Sequence, residues 1–221
     1  MRVDLHVHTR HSRDSLITEQ DVIRWVARRG LDALAITDHN TIVGALALAD
    51  MAPFQVIVGE EIMSSEGEII GLFLEKEIPP FLTPQETVAR IRQQGGIVYI
   101  PHPVDRVRES SLSYVALMSI VDQVDALEVL NARVTFATDN ELAAEIAEAH
   151  HLLAGAGSDA HQGFEIGHAH MEMAPFHNAD EFRIALRDGS IRGRISSPLV
   201  HVGSTYAKVA KGLRVRPPFA N

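Results

Sequence analysis

The chain has 221 residues, a formal net charge of −9 at neutral pH, and no cysteine, so disulfides and thiolate metal sites are excluded. Its length suits one domain with a sizeable core, and a single domain over residues 1–221 is expected. The acidic balance argues against a broad footprint for duplex nucleic acid, but not against a small phosphorylated substrate.

The first expected element, "RVDLHV" at residues 2–7, alternates polar and apolar side chains. Successive strand residues point to opposite faces, so Asp4, His6 and His8 are expected on one face and Val3, Leu5 and Val7 on the other. Thr18 can cap the helix "EQDVIRWVARR", which Gly30 ends. Three apolar runs follow as strands, "LDALAIT", "QVIVGEEI" and "EIIGLFL", and "IPPFLTP" reads as a turn. Thr83 to Glu86, "TPQE", is a capping box with proline at the first helical position, and Gly95 and Gly96 close its helix. The strands "GIVYIP", "ALEVL" and "LLAGAGS" complete the set, with helices expected over "TDNELAAEIAEAHH" and "NADEFRIALRDG". "SSPLVHVGSTYAK" offers Ser, His and Lys for phosphate contact, with an ordinary surface loop as the plain alternative, and "RVRPPFAN" reads as a loosely held tail. Seven strands alternating with helices, without a Gly-rich dinucleotide fingerprint, favour a closed barrel of parallel strands: α/β class, a distorted seven-stranded (β/α) barrel, TIM-like, in one domain. No window approaches a membrane span and no basic-then-apolar leader is evident, so a cytoplasmic location is the default.

In such a barrel, catalytic groups gather at the carboxyl ends of the strands. Here His6, His8 and Asp14 end or follow the first strand, Asp38 and His39 the second, and Glu60 and Glu61 the third. His102 follows "GIVYIP", Glu128 and Asn131 end "ALEVLN", and Asp159 and His161 follow "LLAGAGS". Any one of these is an ordinary turn, cap or solvated group; together they point to a polynuclear metal site. Imidazole and carboxylate donors suit zinc, manganese or iron alike.

The motifs "DLHVHT", "SRDS", "GLDALAITDHNTIVGA", "VGEEI", "IPHPVD", "LEVLNAR" and "AGSDAH" stand in an order and spacing that resemble the polymerase and histidinol phosphatase (PHP) superfamily of metal-dependent phosphoesterases, over roughly residues 1 to 165. The resemblance implies two or three divalent ions in the barrel mouth. His6, His8, Glu61 and Asp159 would hold the first, with Glu61 bridging to a second beside His102, and Asp14, His39 and His161 would hold the third. Glu61 is preferred to Glu60 because it ends a G-x-E pattern, which leaves Glu60 on the opposite strand face, solvated or paired. Asp4 and Asp38 are expected to accept a histidine N–H and fix its tautomer, with a turn cap as the plain alternative for Asp38. Two departures stand out. "ARVTFATD" lacks a histidine that trinuclear members place after Asn131, so the second ion could be absent or completed by water or Asn131. Glu68 stands where some relatives carry a histidine, and is expected to be a solvated hairpin residue rather than a ligand.

The implied reaction is hydrolysis of a phosphate mono- or diester, of a small metabolite or an (oligo)nucleotide, by a metal-bridging hydroxide. No side chain is assigned as catalytic acid or base. Arg106, Arg108 and Arg133 follow strand ends and could bind phosphate through a bidentate fork, against the plain alternative of solvated loop arginines. His11, His150 and His151 are expected at the surface or a helix end, and His168 and His170 on a polar strand face. Two other readings compete: a non-catalytic metal-binding module that assists a partner protein, and an amidohydrolase-type metal hydrolase. The second would need a bridging lysine that "VGEEI" lacks.

Overall fold

Each of the seven expected apolar runs is a strand in the computed structural model, which describes residues 1–197 and 200–214. They are β1 (Arg2–Val7), β2 (Ala33–Ile36), β3 (Gln55–Ser64), β4 (Gly67–Leu72), β5 (Ile97–Ile100), β6 (Ala126–Asn131) and β7 (Leu153–Gly157). Two further short strands, β8 (Ala169–Glu172) and β9 (Ser190–Gly193), bring the sheet to nine rather than seven, in the order β7-β6-β5-β4-β3-β2-β1-β8-β9. Nor are the strands all parallel: β4 runs antiparallel to both β3 and β5, because the tight Ser65–Glu66 connection makes β3 and β4 a hairpin. β8 pairs antiparallel with the start of β1, and β9 with β8.

The sheet curls into a nearly closed barrel. The end of β1 meets the segment after β7 at a parallel bridge, Val7 to Ala160, where the His8 N–H donates to the Ala160 carbonyl at 3.0 Å. One apolar cluster, drawn from all seven barrel strands, fills the interior and includes Val3, Leu5, Ala35, Ile57, Leu72 and Tyr99. Phe176 and Phe182, edge-to-face at 5.1 Å, pack into the same cluster from the segment carrying α6 (Ala179–Arg187).

Helices cover the outside. α1 (Glu19–Arg29) starts at a Thr18–Asp21 capping box and stops at Gly30, whose φ of 64° is the left-handed conformation glycine allows. Thr83 and Glu86 form the reciprocal box that starts α3 (Pro84–Gln93). α5 (Ala137–Ala149) and α6 stand where expected, and α2 (Val43–Ala49) and α4 (Tyr114–Ile120) are additions. The segment expected as a surface loop carries a helix instead, α7 (Val200–Arg214). Pro198, Leu199 and the expected tail at residues 215–221 lie outside the described residues. No helix among the described residues is long and apolar enough to cross a membrane.

The face assignment on β1 needs correction. Asp4 pairs with Leu34 and Val7 with Ile36, so three steps along β1 match two along β2: one extra residue bulges between them. Before the bulge Val3 and Leu5 join the interior cluster, whereas Val7 joins the outer cluster with Val22 and Val26 of α1. The bulge turns His6 and His8 inward without turning Asp4 with them. Asp4 instead accepts hydrogen bonds from the Ser158 amide at 2.9 Å, the Ser158 hydroxyl at 2.5 Å and the Gly167 amide at 2.9 Å.

Candidate metal centre

The carboxyl ends of the strands bring all eight residues of the expected ligand set into one cluster. His6 Nε2 and His8 Nε2 face each other at 3.0 Å, with Glu61 3.4 Å from each and Asp159 Oδ1 3.4 Å from His8. On one side Glu61 Oε1 lies 3.1 Å from His102 Nε2, and on the other Glu61 Oε2 lies 3.0 Å from His39 Nδ1. Asp14 Oδ1 closes the cluster, 3.4 Å from His39 Nε2 and 3.3 Å from His161 Nε2. His102 and Asp159 are held at φ 30° and 52°, unfavourable for residues with a Cβ and a mark of backbone strain concentrated at this site.

Three buried carboxylate oxygens here, Asp14 Oδ1, Glu61 Oε2 and Asp159 Oδ1, have no hydrogen-bond partner. A buried anion without a partner is costly, and each of these points at imidazole nitrogens rather than at an N–H aligned to satisfy it. Four sets of three side chains bring donor atoms within 4.8 Å of one another: His8, His39 and His161; His6, His8 and Glu61; His6, His102 and Asp159; His39, Glu61 and Glu68. Nitrogen and carboxylate donors at these spacings fit divalent cations, and the clusters could hold them.

Electrostatics follow from the crowding. Burial opposes the charge on His6, but Glu128, Asp159 and Glu61 outweigh it and raise its pKa well above the usual imidazole value. Burial, with His161 and His39 beside it, pushes His8 down to about 4. Burial alone would raise Asp14, yet the His161 and His39 imidazoles beside it hold it well below the carboxylate range. The imidazoles cannot all be cationic at once, and Asp14, Glu61 and Asp159 are held as anions.

The orienting groups differ from expectation. Asp4 touches no histidine ring, so it does not fix a tautomer. Glu128 does: its carboxylate lies 3.1 Å from His6 Nδ1 and also accepts the His102 amide and the Asn131 side-chain amide, each at 2.8 Å. Gly157 makes room for the pair, since a Cβ there would collide with both His6 and Glu128. Asp38 works through an intermediary: it accepts from Ser12 Oγ at 2.6 Å, and Ser12 Oγ lies 3.0 Å from His8 Nδ1. Asn131 donates to Asp159 Oδ2 at 3.2 Å as well as to Glu128.

Glu68 is expected to be solvated and Glu60 solvated or paired, and both are buried. Glu60 does lie on the face opposite Glu61, where it accepts the Ile78 amide at 2.9 Å, and burial raises its pKa to about 7. Glu68 faces the site. A period-two reading was available for it, because Ile70 and Leu72 on the same face of β4 point into the barrel.

Above the cluster opens a cavity of about 780 Å³. Its wall carries four cationic side chains, Arg13, Arg108, Arg133 and Lys208. Arg108 donates to Asp159 Oδ2 at 2.6 Å. Arg133 makes a two-pronged pair with Glu165, at 2.9 and 3.0 Å. Arg106 is absent from this wall: it turns to Asp139 at 2.8 Å and stacks over Phe136, because Asp139 at the start of α5 offers it a nearer anion. His11 pairs with Glu19, while His168 and His170 make hydrogen bonds to Ser196 and the Gly167 carbonyl, away from the cluster.

Residues 137–191 match the family model described as PHP-associated. The uncharacterized protein MJ0417 of Methanocaldococcus jannaschii is 36% identical over 177 residues, covering 79% of this chain and 71% of its own. A phosphoribosyl 1,2-cyclic phosphate 1,2-diphosphodiesterase of Eggerthella lenta is 35% identical over 85 residues, covering 34% of this chain and 32% of its own. The crystal structure of a two-domain protein of Bacteroides vulgatus, described as containing a predicted PHP-like metal-dependent phosphoesterase, superposes with a TM-score of 0.70 at 18% identity. That match covers 94% of this chain and 69% of the other, and shows a common fold. The matched family model, these relatives and the shared fold place the chain in the PHP superfamily.

Proposed function

We propose that this chain hydrolyses a phosphate mono- or diester of a small metabolite or nucleotide. The observation that carries the proposal is the cavity: a cluster able to hold divalent ions forms its floor, and Arg13, Arg108, Arg133 and Lys208 stand on its wall. Anion-binding groups stacked above metal-binding ones suit a phosphate ester better than a neutral amide. About 780 Å³ accommodates a molecule of nucleotide size. The Eggerthella lenta relative, named for a phosphodiester substrate, favours the same class.

In this reading His6, His8, Glu61 and Asp159 hold one ion, Glu61 and His102 share in a second, and Asp14, His39 and His161 hold a third. Divalent ions, when bound, activate water and neutralise phosphoryl oxygens. The chain's own residues do the rest. Glu128 keeps a hydrogen on His6 Nδ1 and so presents Nε2 to the site. Ser12 and Asp38 fix the His8 ring. Arg108 steers the phosphate from the rim, while its bond to Asp159 holds that carboxylate in place.

The test is one panel of phosphomonoesters, phosphodiesters and amides, assayed with manganese, zinc or iron. Turnover of at least one phosphate ester, lost on chelation and restored by metal, is expected. Full metal loading with no ester turned over would instead favour a structural module, and turnover of amides alone an amidohydrolase.

A further inference from the structure

We propose that Glu68 is a metal ligand, taking the place of the histidine that the segment after Asn131 does not supply. The assignment rests on the metal-dependent reading of the site above.

The geometry is that of two parallel carboxylates spanning the same two imidazoles. Glu61 reaches His39 Nδ1 at 3.0 Å and His102 Nε2 at 3.1 Å; Glu68 reaches the same two nitrogens with its own two oxygens, at 3.6 Å each. A separation of 3.6 Å is too long for a hydrogen bond. It is close to the spacing of two donors that share one ion: ligands about 2.0–2.2 Å from a cation stand roughly 3.0–3.6 Å apart. Glu68 is 3% exposed, and its neighbour Glu61 carries a buried oxygen with no hydrogen-bond partner. Two buried carboxylates side by side repel unless a cation lies between them. Beyond Asn131, residues 132–138 carry neither imidazole nor carboxylate, and Asp139, which follows them, is engaged by Arg106. A second carboxylate in place of an imidazole makes the donor set richer in oxygen, which favours manganese over zinc.

Glu68 also has a plainer use. Its amide donates to the Ser110 carbonyl at 2.8 Å, and Ser110 Oγ donates to Glu68 Oε2 at 2.6 Å, so it could merely anchor the loop after β5. The experiment separates the two roles. Metal content of the purified protein is measured after loading with manganese or zinc, followed by dialysis, for the wild type, Glu68→Gln and Glu68→His. Glutamine keeps an acceptor for Ser110 but is a weak ligand. Glu68→Gln is expected to lose about one equivalent of manganese, and Glu68→His to regain one equivalent while shifting the retained metal towards zinc. The histidine variant, restoring a ligand, guards against misreading a folding defect. Equal metal content in all three proteins, with unchanged preference, overturns the assignment while leaving the proposed function standing. A wild-type protein that takes up no ion overturns both.

Discussion

Replacing Glu128 by glutamine removes one charge and almost no volume, and its effect can be worked out bond by bond. The carboxylate serves three donors: His6 Nδ1 at 3.1 Å, the His102 amide at 2.8 Å and Asn131 Nδ2 at 2.8 Å. Glutamine has one acceptor oxygen. If it stays with His102 and Asn131, which keeps two bonds rather than one, its NH2 faces His6 Nδ1. Leaving two donors opposed in a buried site costs about 1–3 kcal/mol, so the ring, no longer held cationic by Glu128, sheds its Nδ1 hydrogen and keeps the one on Nε2. In the metal-free protein that tautomer is accommodated, because Nε2 faces His8 Nε2 at 3.0 Å and Glu61 at 3.4 Å. For binding a cation it is the wrong tautomer, and losing such an orienting partner typically weakens metal affinity about 10–100-fold. Isothermal titration of metal-free Glu128→Gln with manganese should therefore show that loss, while its chemical denaturation midpoint moves by less than the equivalent of about 1 kcal/mol. Affinity within two-fold of wild type would refute the tautomer argument. So would a collapse in metal-free stability, which would make Glu128 a packing element.

Three other outcomes follow from the geometry. Gly157→Ala should lower both stability, by about 1–3 kcal/mol, and metal affinity, since its methyl group displaces His6 and Glu128 together; thermal melts with and without metal read both. Arg108→Lys keeps the charge but loses the planar fork, so kcat/KM for a phosphate ester should fall roughly 10–100-fold with metal content unchanged; a parallel loss of metal would show that its bond to Asp159 matters more. Glu60 supplies a pH test. Its pKa is raised to about 7 by burial, so the unfolded chain releases this proton first, and the stability cost is absent at low pH, grows as pH rises through the ordinary carboxylate range, and is complete above about 7. Glu60→Gln should match wild type near pH 4 and exceed it by up to about 3 kcal/mol at pH 8, by urea denaturation; a pH-independent difference would contradict the buried, protonatable carboxyl.

Much of this was legible in the chain because strand ends carry both fold and chemistry. The apolar runs sit where the seven barrel strands form, and the two capping boxes set helix starts to the residue. What misled was parity. Alternation in "RVDLHV" is real, but a single bulge between Asp4 and Val7 exchanges the faces partway along, and bulges leave no mark in residue type. Asp4 therefore serves Ser158 and Gly167, and the role expected of it falls to Glu128, from a strand 122 positions away from His6. Glu68 was misplaced for a different reason: charge suggests solvent, yet it is buried beside the histidines, while Glu60, on the face expected of it, is buried under the Ile78 turn. The direction of β4, and helix α7 over the mouth, depend on tertiary packing that composition does not report.

The single bridge between Val7 and Ala160 gives the cluster a second role. His6 and His8 belong to one end of the curled sheet, Asp159 and His161 to the other, and the closure runs between them. An ion gripped from both sides would work as a clasp, fastening the first barrel strand to the seventh, so that the chain could not part there without releasing it. Loading the protein and locking its circumference would then be one equilibrium, measured from two directions.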